Sequence, residues 1–404
     1  MRAVIGSAYF ALGKLPRATE QMQRALQLRT AALGPDAAEV AEVWDGMVEI
    51  DRENRAFGDA EKAAREAVRI RERLHPRPDS TVVTAWVDLA RCLVLERKYP
   101  EADSILGRVE RTLPALHGDT RMQRAAVLSV RADVAQGKDD LAAADSLGRE
   151  SLRLQRDVGP KNPEAMIEQN NLATVRMQLG DLVGARKLLE ESLETEAKLL
   201  GEDHPTYAMT LENLANVDFQ EKKYDQTLER LQLVHDIRAR NLGQDHIEVT
   251  RTLQNMAVVA SRCGRAAQSL ALFQQVLPRF RAELGEGDPE TATCERNMSY
   301  TLRMLKRYRE CDELLERSLA IFRKSFGDEH IQVARTRADI GISLVEQGRY
   351  QEALGPLRLA LPRLRAEYGD SEKRTRDAAV ALVKAYNGLG QPADAAKYRA
   401  VAGK

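Results

Sequence analysis

The stretch "GEDHPTYAMTLENLANVDFQEKKYDQTLERLQLVHDIRARNL", residues 201–242, is one period of a repeat that runs through much of the chain. A glycine opens this period, and a short polar loop with a proline, "GEDHP" at 201–205, follows it. Glycine after a helix end and proline in the first turn of the next helix are typical of a helix stop followed by a helix start. The glycines recur every 42 residues, at Gly159, Gly201, Gly243, Gly285, Gly327 and Gly369.

Small side chains recur in register later in each period, near the predicted start of a second helix. A small residue is needed where two helix backbones approach closely, because a larger side chain would push them apart. Each period is therefore predicted to form two antiparallel amphipathic helices, A and B. One such pair cannot bury its apolar faces alone, so the pairs must stack on one another. The small residues are Ala18, Ala60, Ala102, Ala144, Ala185, Thr227, Ser269, Cys311, Ala353 and Ala395.

The motif "NLA" at 213–215 in helix A, the aromatic Tyr224 before the turn to helix B and the small residue three positions later resemble a tetratricopeptide repeat. The usual period of that family is 34 residues. The 42-residue period and the "LGEDHP" loop at 200–205 are most similar to the longer variant found in kinesin light chains and many bacterial proteins. The resemblance implies an all-α, right-handed α-solenoid of about ten antiparallel helix pairs. We predict a truncated first repeat (1–33), more divergent units (34–158), a regular array (159–370) and a C-terminal capping unit (371–404).

Composition narrows the classes of partner. The 404 residues contain 61 Lys plus Arg and 61 Asp plus Glu, so no net charge attracts the chain to nucleic acid. No stretch approaches the roughly 18 apolar residues of a membrane span, and we expect no membrane insertion. We expect a cytoplasmic location, or one outside the cytoplasm if the chain is the detached half of a membrane-anchored kinase. The four cysteines are interpreted as small buried thiols: Cys92, Cys263, Cys294 and Cys311.

No catalytic or metal-binding motif stands out, so we predict a protein that is not an enzyme and has no cofactor or metal site. His204, His246 and His330 do share one loop position. Equivalent positions in neighbouring repeats are separated by roughly two interaxial distances of 8 to 10 Å, too far for ligands of a single ion. We predict instead that these histidines cap the following helix.

Asparagine recurs inside helix A at intervals of 42 residues, although it is a poor helix former. An amide side chain can bond both the N–H and the C=O of an extended peptide. The resemblance implies that helix A lines the concave wall and that this asparagine contacts the backbone of a bound peptide. The alternative is that the amides bond the neighbouring repeat and stitch the stack together. The candidate groove residues are Asn171, Gln178, Asn213, Asn216, Gln220, Arg251, Asn255, Arg296, Asn297, Tyr300 and Arg303.

These patterns predict a non-catalytic scaffold that holds a peptide or protein segment along its concave surface, with a preference for acidic segments from Arg251, Arg296 and Arg303. An alternative comes from residues 375–404, "TRDAAVALVKAYNGLGQPADAAKYRAVAGK", which resemble the end of the repeat region of some bacterial Ser/Thr protein kinases. On that interpretation the chain is the sensor or docking region of a signalling kinase whose catalytic domain lies elsewhere. Neither the identity of the partner nor the oligomeric state follows from the sequence.

Overall fold

The structure, a computed structural model, describes residues 1–11, 14–159 and 162–403. Within these ranges the chain forms twenty α-helices and one short 3-10 helix, and no strand. Long and short connections alternate, so that the odd-numbered helices are the predicted A helices and the even-numbered ones the B helices. The predicted class, an all-α solenoid of about ten antiparallel helix pairs, is confirmed.

The chain divides into two units, of which the first is Met1–Glu221. In its first pair, helix A is α1, which has only 10 residues. The helices of this unit are α1 (Arg2–Ala11), α2 (Leu15–Leu33), α3 (Ala38–Glu53), α4 (Phe57–Leu74), α5 (Ser80–Leu95), α6 (Tyr99–Thr112), the 3-10 helix (Leu113–Ala115), α7 (Arg121–Gly137), α8 (Leu141–Val158), α9 (Pro163–Leu179), α10 (Leu182–Leu199) and α11 (Pro205–Gln220).

The second unit is Lys222–Lys404. It begins with the helix B that follows α11 in the chain and continues with four A/B pairs. Its helices are α12 (Tyr224–Leu242), α13 (Ile247–Arg262), α14 (Ala266–Glu283), α15 (Pro289–Met304), α16 (Tyr308–Phe326), α17 (Ile331–Glu346), α18 (Tyr350–Tyr368), α19 (Lys373–Gly388) and α20 (Pro392–Ala402).

Within each unit a helix packs mainly against the helices immediately before and after it, and several A helices also pack against the next A helix. The small residues predicted at the start of helix B lie at these contacts. All ten are at most 1% exposed, from Ala18 to Ala395. A close approach of the same kind occurs at Gly341 of α17, where an added Cβ would lie 2.3 Å from Leu357 Cγ of α18. Small residues therefore set the spacing of the helices, as predicted.

The loops between repeats end in capped helices. The Nδ1 atoms of His204, His246 and His330 accept hydrogen bonds of 3.1, 3.2 and 3.2 Å from the backbone N–H two residues later. Each imidazole thus satisfies one of the unpaired donors at the start of α11, α13 or α17. The prediction that these histidines are helix caps is confirmed.

The turns from helix A to helix B share a left-handed residue that the sequence did not reveal. In four of these turns it is a glycine, for example Gly348 with φ 76°. In five others it carries a side chain, at φ between 57° and 65°. These residues are Arg55, Arg97, Asp139, Lys222 and Lys306. The left-handed conformation brings Cβ close to the backbone and is unfavourable for residues other than glycine.

The cysteines are free thiols. Cys92, Cys294 and Cys311 are buried, and Cys263 is half-buried. Burial raises the pKa of the Cys92 thiol to about 11, so this group is uncharged at neutral pH. Across the residues that the structure describes, none of the helices has both the length and the apolarity that crossing a membrane requires.

Candidate functional site

The A helices of the first unit enclose a groove with a volume of about 680 Å³. Residues from α3, α5, α7 and α9 line it, together with Tyr99 of α6 and Gln155 of α8. We call this cavity the first-unit groove. Its polar lining residues are Arg52, Arg91, Asp133, Gln155, Glu168, Asn171 and Gln178, among others.

Two of the predicted site residues, Asn171 and Gln178, line this groove from α9, and both are exposed. The Gln178 Oε1 atom accepts a 3.0 Å hydrogen bond from Gln136 Nε2 of α7, the preceding helix A. The Asn171 amide makes no hydrogen bond within the described ranges 1–11, 14–159 and 162–403. Its donors and its acceptor are therefore available to a ligand.

The predicted residues of α11 divide into two kinds. Asn213 is half-buried and donates a 2.9 Å hydrogen bond from Nδ2 to Asn170 Oδ1 of α9. Asn216 and Gln220 are exposed, and neither side chain has a hydrogen-bond partner in the part of the chain that the structure describes. None of the three lines the first-unit groove.

The Asn213 bond is the outer end of a buried chain of hydrogen bonds. Asn170 Nδ2 donates to Thr210 Oγ1 at 2.8 Å, and Thr210 Oγ1 donates to Glu196 Oε1, also at 2.8 Å. Ser192 Oγ donates to the same carboxylate oxygen at 2.8 Å. Burial raises the pKa of Glu196. The chain connects three helices, α9, α10 and α11, through side chains alone.

In the second unit, Arg251 of α13 is held by the next helix A. Its Nε and one terminal nitrogen each lie 2.7 Å from a carboxylate oxygen of Glu290, a bidentate pair. It also pairs with Glu248 of its own helix. Asn255, one turn along α13, is half-buried. Two neighbouring repeats are thus joined by an ion pair at this predicted position.

The predicted residues of α15 lie close together on one helix. Arg296 is only 5% exposed and donates a 2.7 Å hydrogen bond to Gln332 Oε1 of α17. Arg303 pairs with Glu346, also of α17. The Tyr300 ring is contacted by the guanidinium groups of Arg303, at 5.1 Å, and of Arg262, at 4.9 Å. Asn297 lies between Arg296 and Tyr300 in the sequence, and its side chain is half-buried.

Positive charge predominates around Asp339 of α17, at the next position of the 42-residue series. Arg296, Arg303, Arg335 and Arg374 all act electrostatically on this carboxyl, although burial raises its pKa. Burial, together with the charge of Arg335, lowers the pKa of Arg296 to about 10. In the described part of the second unit, neither Arg335 nor Arg374 has a side-chain hydrogen bond or an ion pair. The arginines therefore favour the ionised form of Asp339, but the cost of burial outweighs them and favours the neutral carboxyl.

In the first-unit groove, by contrast, acidic side chains outnumber basic ones. Asp133 of α7 and Glu168 of α9 both line it. Burial raises the pKa of Asp133 to about 6, and that of Glu168 to about 7, even though the Ser129 and Ser151 hydroxyls hydrogen bond to the Glu168 carboxyl. Asp88 of α5 lies in an adjoining cavity of about 210 Å³, and burial raises its pKa as well.

These acidic residues were not among the candidate groove residues predicted from the sequence. For two acids of α9, the sequence does contain a pattern that indicates the groove. Glu164 and Glu168 precede Asn171 by seven and three residues, and Gln178 follows it by seven, which is the spacing of one helix face. Asp133 and Asp88 lie in units that depart from the regular period. Within the described residues, no group of three His, Cys, Asp or Glu side chains is arranged to hold a metal ion.

Comparisons with known proteins agree with this architecture. A model of the tetratricopeptide repeat matches residues 165–240, 207–282, 248–310 and 295–366, which together span half of the chain. A second model, also described as a tetratricopeptide repeat, matches residues 1–36. No match was found among the curated proteins.

Solved structures share the fold at low sequence identity. The apo form of the quorum sensor NprR from B. thuringiensis is 14% identical, covers 87% of this chain and 99% of its own, and has a TM-score of 0.61. A signal transduction ATPase with a tetratricopeptide repeat sensor from Pyrococcus horikoshii is 14% identical over 89% of this chain and 52% of its own, with a TM-score of 0.60. Repeats of a putative kinesin light chain from Podosopora anserina are 22% identical over 51% of this chain and 97% of their own, with a TM-score of 0.45.

The 42-residue period, the buried small residues at each helix contact and the family matches over half of the sequence lead to one assignment. The chain belongs to the tetratricopeptide repeat family.

Proposed function

We propose that this protein is a non-catalytic scaffold that binds an extended segment of a partner protein along the A helices of its first unit. Proteins built from such repeats use the surface formed by their stacked helices for binding. The observation that carries the proposal is the first-unit groove, about 680 Å³ in volume, which is lined by the exposed Asn171 amide. In the described part of the chain this amide has no hydrogen-bond partner. A volume of this size lies in the range of pockets that bind ligands.

The dimensions of the groove favour an extended peptide. Four A helices, α3, α5, α7 and α9, contribute to its wall. Four helices are separated by three intervals of about 8 to 10 Å, so a chain that rises about 3.3 Å per residue crosses them with roughly seven to nine residues. The Asn171 amide can donate to a ligand C=O and accept from a ligand N–H, which fixes a backbone without selecting its side chains.

We infer that the asparagine series has two roles. Asn171 is available to a ligand, whereas Asn213 bonds Asn170 and joins two repeats. Arg251, Arg296 and Arg303 each bond a side chain of the following helix A, at Glu290, Gln332 and Glu346. On this proposal the peptide binds most strongly at Asn171, whose amide makes no such bond.

Selection from a displayed library of random twelve-residue peptides tests the proposal. We expect the parent protein to select binders, and the double variant Asn171→Ala with Gln178→Ala to bind them at least about tenfold more weakly, because hydrogen bonds to the ligand are lost. Gln23→Ala is the matched control, since Gln23 is an exposed amide on the B helix α2. Binders that lose no affinity to the double variant, or that lose the same affinity to Gln23→Ala, would refute the groove as the binding surface.

The alternative interpretation of the sequence, a sensor or docking region of a bacterial signalling kinase, stays a prediction. It requires a kinase catalytic domain encoded in the same reading frame or next to it. Sequencing the genomic region upstream of the Met1 codon decides this question, and a neighbourhood without a kinase domain argues for the free-standing scaffold.

A further inference from the structure

Three carboxylates from three successive A helices lie at the first-unit groove and its adjoining cavity. They are Asp88 of α5, Asp133 of α7 and Glu168 of α9. Glu168 is only 3% exposed, and the other two are half-buried. Carboxylates that are removed from water in this way are unfavourable unless a cation or several donors compensate them.

A buried amide adds an unused acceptor to the same place. Gln155 of α8 is 4% exposed and lines both cavities. Its Nε2 donates a 3.2 Å hydrogen bond to Ser151 Oγ, but its Oε1 has no donor in the described part of the chain. A buried oxygen without a donor is unfavourable, because it has lost its hydrogen bonds to water and gained none in return. The groove therefore presents acceptors that the described residues do not satisfy.

The positive charges of the wall compensate these acids incompletely. Arg52 of α3 and Arg91 of α5 line the groove and act electrostatically on Asp133. Arg91 forms a long ion pair with Asp88 of its own helix, at 3.7 Å from its terminal nitrogen to Asp88 Oδ1. Within the ranges that the structure describes, neither arginine forms an ion pair or a hydrogen bond with Asp133 or Glu168. With Glu164 also at the rim, four acids face two arginines.

Apolar side chains complete the wall beside the acids. Leu95 of α5 and Ile167 of α9 line the groove and are 40% and 45% exposed. Val94 and Tyr99 lie in the same wall. The side chains of lysine and arginine combine an apolar stem with a cationic, donor-rich end, so the stem can cover such surface while the end reaches the acids.

We propose that the first-unit groove recognises a lysine or arginine side chain of the bound segment, through the carboxylates of Asp133 and Glu168 and the Gln155 Oε1 atom. This inference rests on the proposed function, because Asn171 and Gln178 line the same groove. Asn171 would hold the backbone of the segment, and the acids would select a basic residue in it. The ligand is thus a basic segment of a protein, in contrast to the acidic ligand predicted from the arginines of the second unit.

Binding should depend on pH with a defined sign. Since burial raises the pKa of Asp133 to about 6 and that of Glu168 to about 7, both carboxyls lose their protons between about pH 5 and pH 8. A cationic side chain binds the deprotonated forms, and affinity should rise over this interval. The other charged groups facing the pair are Asp88 and Arg91 of α5, Arg52 of α3 and Glu164 of α9.

The test uses the full chain and the peptides that it selects from a random library. We expect lysine or arginine to be enriched at one position of the selected peptides. Replacing that lysine by norleucine, or the protein residues by Asp133→Asn with Glu168→Gln, should weaken binding at least about tenfold, because a charged hydrogen bond is lost. Arg52→Gln should strengthen binding, since it removes an opposing charge. The matched control is Glu20→Gln with Glu190→Gln, two exposed acids on the B helices α2 and α10.

The outcomes separate this inference from the proposed function. Peptides that depend on Asn171 and Gln178 but show no basic preference would refute the inference and leave the scaffold role intact. Peptides that depend on neither pair of residues would refute both. The norleucine peptide needs no protein variant, so it tests the inference even if the Glu168 change unfolds the first unit. Spermidine that binds more tightly than the lysine peptides would identify a free polyamine as the ligand and overturn the assignment to a protein segment.

Discussion

The Asn213 side chain donates a 2.9 Å hydrogen bond to the side-chain oxygen of Asn170, one repeat earlier in the chain. Asn170 in turn donates to Thr210, whose hydroxyl donates to the buried Glu196. An asparagine at the regular position of helix A thus supports the stack from within. The same position in α9 holds Asn171, which is exposed at the groove. One sequence position therefore has two structural environments.

Asn213→Ala should destabilise the first unit more than Asn171→Ala. Removal of Asn213 leaves the Asn170 oxygen without this donor, and we expect the free energy of unfolding to fall by about 1 kcal/mol. Asn171→Ala should change it by less than about 0.5 kcal/mol, as is usual for an exposed position. Urea unfolding followed by circular dichroism measures both. Equal effects of the two substitutions would contradict this division of roles.

Asp339→Asn should stabilise the second unit at neutral pH. Arg296, Arg303, Arg335 and Arg374 attract the ionised carboxyl of Asp339, but burial outweighs them and raises its pKa. The folded state therefore disfavours the charged carboxyl, and the uncharged amide removes this cost, so we expect the free energy of unfolding to increase. Thermal unfolding measures the change.

The matched control for Asp339 is Asp370→Asn. Asp370 also pairs with an arginine, at 2.6 Å from Arg365 Nε, but both side chains are about half exposed. An exposed pair contributes about 0 to 1 kcal/mol. An increase in stability for Asp370→Asn as large as that for Asp339→Asn would show that burial is not the cause.

Glu168→Gln should alter the dependence of stability on pH. The pKa of Glu168 is raised from 4.5 to about 7 in the folded chain, so the folded state binds the proton more tightly than the unfolded state does. This group therefore contributes stability below pH 4.5 that is lost as the pH rises to about 7. At a pH of about 8 the glutamine variant should be more stable than the parent, on the order of 3 kcal/mol.

Urea unfolding of the parent and the variant at four pH values from about 5 to about 8 measures this difference. The difference in the free energy of unfolding between the parent and Glu168→Gln should increase across this pH range and remain constant above the raised pKa. Glu190→Gln, which changes an exposed acid of α10, should show no such increase. A constant difference at every pH would mean that Glu168 titrates normally.

Lys306→Gly should stabilise the second unit. Lys306 has a φ of 57° in the turn between α15 and α16, where glycine avoids the contact of Cβ with the backbone. The greater freedom of glycine in the unfolded chain offsets part of this gain, which leaves roughly 0.5 to 1 kcal/mol. The melting temperature should rise.

The reciprocal substitution is Gly348→Lys, in the equivalent turn between α17 and α18. Gly348 has a φ of 76°, and an added Cβ would meet no atom within 4 Å. Only the backbone conformation then opposes the side chain, so the melting temperature should fall. A melting temperature that is unchanged in both variants would show that these turns relax without strain.

The repeat could be predicted from sequence because its determinants are local and recur. Ala185 and Ala353 mark a close helix contact wherever they occur in the period, and both are completely buried. His204 caps α11 through a hydrogen bond that spans only two residues. The left-handed turn residue Lys306 escaped notice, since lysine carries no signal for that conformation. The four segments proposed from the sequence (1–33, 34–158, 159–370 and 371–404) stay a prediction.

The site could be predicted only in outline. The period singled out Asn171 and Gln178, and both line the first-unit groove from α9. That they bind a peptide stays a prediction. The period left open whether Asn213 contacts a ligand or bonds the neighbouring repeat, because the outcome depends on which rotamers the amides adopt. It also did not reveal Asp133 and Glu168, whose acidity depends on burial among three helices. Burial and side-chain pairing are properties of the packed stack rather than of any single repeat.

The pattern of packing has an evolutionary consequence. Because each helix in a unit packs chiefly against helices one or two places away, gene duplication or deletion of one 42-residue segment would leave the remaining interfaces unchanged. A lineage could lengthen or shorten the stacked surface in steps of one hairpin. Recombination, rather than the gradual redesign of a core, is then the shortest route to new partners.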